Sequence, residues 1–187
     1  MFNEVIDEMV WDERNGIPII EEKLLVFREK RDELYADVIR YKHLKLNSDS
    51  FVNHGIIPSK FTCDGRNVNP SINILNLPEN AKSLAVVVDA PNHVNGNCCH
   101  WVIWNLPITD RIEENEHRGL PGRNDFGFYK YNGPCPTTGT HRYLFKVYAL
   151  DCIVHIPDFS DKIRLEKAMK NHVVGFGFLV GKYHMRH

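Results

Sequence analysis

The chain has 187 residues, with 23 Lys and Arg against 24 Asp and Glu, a formal charge of -1 and 43% hydrophobic residues. That length suits one medium domain with an appendage rather than two large domains, and the apolar content excludes a disordered chain. Near-neutral charge excludes a broad surface for tracking a nucleic-acid backbone, which needs a concentrated excess of Lys and Arg.

No apolar run approaches the roughly 18 to 20 residues of a bilayer span; stretches such as Leu84 to Val88 are strand-sized. The start, Met1-Phe2-Asn3-Glu4, lacks both the positive charge and the apolar stretch of a secretory signal, so a cytoplasmic location is expected. Five cysteines, Cys63, Cys98, Cys99, Cys135 and Cys152, make an odd count, and the sequence Asn69-Pro70-Ser71 is not a permitted glycosylation sequon. Both facts fit a reducing compartment.

Residues 20 to 44 read as a charged helix. Ile20, Leu24, Phe27, Leu34, Val38 and Tyr41 form a narrow apolar stripe with Arg31 as a polar break. The stripe either packs on the chain's own domain or forms a two-helix seam between protomers, which would make a homodimer. A boundary near Leu46 to Ser50 follows, dividing a 1–47 extension from a 48–187 domain. From Phe51 onward, short apolar or alternating runs separated by Pro, Gly, Asn and Asp predict many short strands.

Leu84 to Asp89 is apolar on both faces and reads as a central strand covered on both sides. His100 to Leu106 reads as a strand ended by Pro107. His141 to Asp151 alternates: His141, Tyr143, Phe145, Val147, Ala149 and Asp151 share one face, because strand side chains have period two. Lys162 to Asn171 carries a short helical apolar face, and Val173 to Tyr183 reads as a last strand containing Gly175, Gly177 and Gly181. The fold class is all-β with a few peripheral helices.

The most unusual segment is Tyr131-Asn132-Gly133-Pro134-Cys135-Pro136-Thr137-Thr138-Gly139-Thr140-His141-Arg142-Tyr143. Glycines let a backbone approach a ligand, prolines fix φ, and exposed amides can cradle an anion. His141, at the exit, is a side chain that can donate to an anion. The alternative is a turn that simply joins two strands. Asp89-Ala90-Pro91 and Cys99-His100-Trp101 end and begin neighbouring strands, so a carboxylate, two imidazoles and the Gly-Pro loop could line one polar depression.

Cys135 with His141, or Cys99 beside His100, resembles a thiol-imidazole pair for a thiol-dependent hydrolase. No third orienting residue is evident, and Cys135 lies between two prolines. A zinc site from Cys98, Cys99 and His100 is disfavoured because adjacent strand residues point to opposite faces and the chain has no Cys-x-x-Cys. No metal and no cofactor are expected.

These segments, in this order, resemble the phosphatidylethanolamine-binding protein family, which includes the Raf kinase inhibitor proteins, and most of all its bacterial and archaeal branch. The likeness covers about residues 51 to 186. It runs through Phe61-Thr62-Cys63-Asp64-Gly65, Asp89-Ala90-Pro91, His100-Trp101-Val102-Ile103-Trp104-Asn105-Leu106-Pro107 and Asn124-Asp125-Phe126-Gly127. It continues with Gly133-Pro134-Cys135-Pro136, Gly139-Thr140-His141-Arg142-Tyr143, Tyr148-Ala149-Leu150-Asp151, Lys167-Ala168-Met169 and Gly181-Lys182-Tyr183.

The resemblance implies a two-sheet antiparallel β-sandwich and a shallow pocket for phosphate-like anions or a phosphoethanolamine head group, with binding rather than catalysis. Carried across, His100 and His141 are pocket-wall donors, Gly133 and Pro134 the backbone edge, Asp89 the carboxylate and Tyr143 the aromatic wall. The family pattern Asp-Pro-Asp-Ala-Pro stands here as Val87-Val88-Asp89-Ala90-Pro91, so Val87 replaces the first carboxylate and ethanolamine recognition loses a partner. The resemblance also implies a cis Ala90-Pro91 bond, and family members regulate kinases or inhibit serine proteases, the latter suggesting an inhibitor acting through a surface loop.

Overall fold

The computed structural model describes residues 11–12, 17–18, 41–93 and 96–184. Trp11–Asp12 (β1) pairs with Ile17–Pro18 (β2). The domain proper is built from Lys42–His43 (β3), Lys45–Asn47 (β4), Gly55–Ile56 (β5), Ile72–Leu75 (β6), Ser83–His93 (β7) and Gly96–Leu106 (β8). Arg111–Ile112 (β9), Leu120–Pro121 (β10), Thr140–Leu150 (β11) and Val173–His184 (β12) complete the strands, and Lys162–Met169 is an α-helix, α1.

The strands form a seven-stranded sheet of order β10-β8-β7-β11-β12-β3, with β5 also on β12, and a three-stranded sheet of order β4-β6-β9. The apolar run of β7 lies between β8 and β11, and Leu84 to Val88 are 0% exposed, as a strand covered on both faces requires. One core fills the space between the sheets. Val86, Val88, Trp101, Ile103, Phe145 and Val147 of the large sheet meet Ile72, Ile74 and Ile112 of the small one. The alternate residues Ala85, Val87, Val102, Trp104, Tyr148 and Leu150 form a second core on the outer face, closed by Leu165 and Met169 of α1. Period-two alternation therefore sorts each long strand between two cores rather than between core and water. The helix starts where Asp161 accepts a hydrogen bond from the Arg164 amide at 2.9 Å, satisfying one of its open N–H groups.

The expected two-sheet sandwich is present, its long strands β7, β8, β11 and β12 pairing antiparallel and the two-residue β3 and β5 pairing parallel with β12. Two sequence expectations are corrected. The helix over residues 20 to 44 lies outside the described residues as far as residue 40, and at its far end Lys42–His43 is a strand. Pairing with Gly175–Phe176 and burial of Leu44 outweigh local helical spacing there. Gly177 permits this approach, since a Cβ on it would stand 2.3 Å from the Leu44 carbonyl oxygen. Finally, no cis peptide bond occurs among the described residues, so Ala90–Pro91 is trans within β7.

No helix among the described residues is long and apolar enough to cross a membrane.

Candidate anion-binding site

The pairing of β7 with β8 passes from Val88 opposite Trp101 to Asp89 opposite Cys99, so His100 is the extra residue of a bulge. Bulges turn a side chain out of simple alternation. The His100 ring, 3% exposed, stands edge-on to Tyr143 (centroids 5.2 Å) and Phe126 (4.9 Å). Its Nδ1 lies 2.7 Å from the Asn132 carbonyl oxygen; a carbonyl only accepts, so Nδ1 carries a proton and the tautomer is fixed. The His100 carbonyl in turn accepts from the Asn132 amide (3.0 Å) and the Asn124 side chain (3.2 Å). Asn124 also accepts from the Phe126 and Phe128 amides, which sets the turn that carries Phe126.

Tyr143 lies on β11 with its hydroxyl bonded to the Cys135 amide, and burial pushes its pKa up. His141, half-buried, is two residues earlier and so on the same face. Directly across from His141 is Tyr183 of β12, whose hydroxyl donates to Asp64. His100, Tyr143, His141 and Tyr183 thus gather at one end of the large sheet, on the face toward the small sheet.

The rim is two loops laced together. The 133–136 loop meets the loop after the 3-10 turn Ser59–Phe61 through the Cys63–Cys135 disulfide and a hydrogen bond from the Cys63 amide to Pro134 (3.1 Å). The Tyr131 hydroxyl donates to Phe61 (3.0 Å) and the Gly133 amide to Asn67 (2.6 Å). A Cβ on Gly133 would stand 2.4 Å from the Phe61 carbonyl oxygen, so only glycine allows the loops this close.

Sequence and structure differ at several of the expected residues. His100, His141 and Tyr143 come together. Gly133 and Pro134 lie beside them but are buried, with the one amide between them already given to Asn67, so they do not offer an open anion cradle. Asp89 is elsewhere: it shares the outer face with Val87, is 1% exposed, and accepts from Lys146 (2.7 Å) and Lys162 (2.9 and 3.0 Å). Burial alone would raise its pKa, but the two ammonium groups outweigh it and hold the carboxyl below its ordinary value. Val87, in the second core, likewise does not face His100.

Sequence reasoning missed Asp64, Phe126, Asn132 and the disulfide. Asp64 and both cysteines stand in shared segments, which was the available signal. With Cys135 oxidised, a Cys135/His141 thiol nucleophile is excluded, and the odd cysteine count loses its force as a sign of a reducing compartment.

A cavity of about 220 Å³ lies apart from this cluster, with Asn67, Trp101, Glu116 and Lys130 in its wall and neither His100 nor His141. Burial would raise the Glu116 pKa, but Arg118 and backbone amides hold it at about 2, so this carboxylate is ionised and already paired with Arg118.

Comparison with known proteins agrees with the fold. The family model described as phosphatidylethanolamine-binding protein matches residues 47–184. A UPF0098 protein of Pyrococcus abyssi is 43% identical over 151 residues, covering 73% of this chain and 83% of that protein. Another from Methanothermobacter thermautotrophicus is 39% identical over 148 residues, covering 75% and 98%. A solved phosphatidylethanolamine-binding protein homolog from Chlamydia trachomatis superposes with a TM-score of 0.73 at 30% identity, covering 78% of this chain and 99% of that one. E. coli YbcL, at 22% identity and a TM-score of 0.70, shares the fold over 76% of this chain and 99% of its own. With the two-sheet fold in place and most of the chain matched, the protein belongs to the phosphatidylethanolamine-binding protein family.

Proposed function

We propose that this chain is a non-catalytic binding protein for a phosphate-like anion, held at the His100, His141 and Tyr143 end of the large sheet. The observation that carries the reading is the fixed His100 ring: its Nδ1 proton is taken by Asn132 and its position is set by Tyr143 and Phe126, next to the face that holds His141, so it is the imidazolium form, with a second proton on Nε2, that donates to the anion. A pre-oriented imidazole loses little freedom on binding, which is where affinity for a small anion comes from. Asp64, exposed and bonded to Tyr183, supplies a carboxylate at this end of the sheet, so an ammonium group such as that of phosphoethanolamine has a partner here. Regulation of a kinase or serine protease is part of the same proposal and rests on family membership alone.

Calorimetric titration with inorganic phosphate and with phosphoethanolamine tests this. His100→Ala should weaken both ligands by about tenfold or more, the loss of a charge-assisted hydrogen bond. Asp64→Asn should weaken phosphoethanolamine but not phosphate. Equal phosphate affinity in wild type, His100→Ala and His141→Ala would overturn the proposal.

A further inference from the structure

At the opposite end of β11 from His141, the chain bends through Asp151 and Cys152 before α1, and His172 stands in the turn before β12. One ligand atom from each of Asp151, Cys152 and His172 lies within 4.8 Å of the other two. Adjacent residues on a regular strand would point apart, but this segment has left the strand, which lets Asp151 and Cys152 converge. Their backbone is pinned: the Asp151 amide donates to the His172 carbonyl at 3.0 Å, and the Ser83 hydroxyl donates to the Cys152 carbonyl at 2.6 Å. The His172 Nδ1 is 2.9 Å from the Asp151 carboxylate, so the ring already faces the acid.

We propose that Asp151, Cys152 and His172 form a binding site for a divalent transition-metal ion of the zinc class, leaving a further coordination position for water or an exogenous ligand. The Asp151–His172 contact accounts for two of the groups. The sulfur adds a third, soft donor, and a sulfur, nitrogen and oxygen set selects zinc-like ions over magnesium or calcium, which prefer oxygen alone. Three protein ligands with an open position is also the pattern of non-structural zinc centres. Asp151 and His172 are partly solvent-exposed, which gives an ion its route of entry. This site is separate from the anion site and does not depend on it.

Cobalt(II) is the probe, because thiolate coordination gives it a near-ultraviolet charge-transfer band and four-coordination gives it strong visible absorption. Adding cobalt to the full, chelator-treated chain should produce both bands, saturating at a single ion per chain. Zinc should abolish them and magnesium should not. Cys152→Ser should remove the charge-transfer band, and His172→Ala should weaken binding by at least about tenfold, since each protein ligand lost costs most of the affinity. Cys98→Ser should leave the spectrum intact, Cys98 and Cys99 being the other free thiols among the described residues. The proposal is overturned if cobalt produces no thiolate band in the wild type, or if the band persists unchanged in Cys152→Ser. Thermal denaturation without metal shows whether each variant is folded; should Cys152→Ser fail to fold, unweakened cobalt binding in folded His172→Ala overturns the proposal equally.

Discussion

Asp89 is buried between two ammonium groups, and its value to the protein lies in that pairing. Removing one partner of a buried ion pair leaves the others uncompensated in a poor solvent for charge, at a cost of about 3 to 5 kcal/mol. Asp89→Asn should therefore lower the free energy of unfolding by roughly that amount, read from urea denaturation. Phosphate affinity of the folded fraction should be unchanged, because the side chain faces away from His100. Beside this pair, Glu166 is 4% exposed, its Oε1 has no hydrogen-bond partner among the described residues, and Lys162 Nζ is 4.0 Å away. Burial raises its pKa to about 7 despite Lys162 and Lys146. The folded state thus holds a proton that the unfolded chain has lost once pH exceeds its ordinary value of 4.5, so stability falls as pH rises from there to about 7 and then levels off. Glu166→Gln should flatten that decline and be the more stable protein above pH 7, measurable as urea midpoints at acid and alkaline pH. A midpoint difference between the two proteins that does not vary with pH would refute this.

At the scale of elements, the rim depends on two loops touching without an intervening side chain. Gly133→Ala puts a methyl against the Phe61 carbonyl, which must move. The expected cost is about 1 to 3 kcal/mol of stability, as for overpacking, together with weaker anion binding. A Gly133→Ala protein with wild-type midpoint and affinity would show that the close approach is unimportant. The strands themselves were largely legible, because β11 alternates cleanly, β7 is apolar on both faces and α1 has its stripe. The bulge at His100 was not, since register is decided by the partner strand and leaves no local mark. Nor was the face of Asp89 read correctly, although Lys146 in the middle of a largely apolar strand face was a hint that an acid waited on a neighbouring strand. The parallel pairing of β3 and β5 with β12 is long-range and invisible to periodicity.

For the whole molecule, the Cys63–Cys135 bond closes a loop of sequence separation 72. In the chain-entropy account, a link across that span stabilises by about 4 kcal/mol through its effect on the unfolded chain. A thiol reductant, or the double substitution Cys63→Ser with Cys135→Ser, should lower the unfolding free energy by up to about that much, and an unchanged urea midpoint under reduction would contradict the account. Pairing could not be read from sequence, since five cysteines do not dictate their connectivity. The family likeness carried the fold further than the residues alone could, yet its assignment of Asp89 to the pocket fails here for a geometric reason, the side of the sheet on which that carboxylate falls.

The same bond makes β6 to β10 part of a covalent ring, with β11, α1 and β12 on its tail. Any single cut of the backbone between residues 64 and 134, including one in the exposed Phe126–Tyr129 turn, opens the ring but frees nothing. Both pieces stay tethered through sulfur, so a nicked molecule migrates with intact chain until the disulfide is reduced.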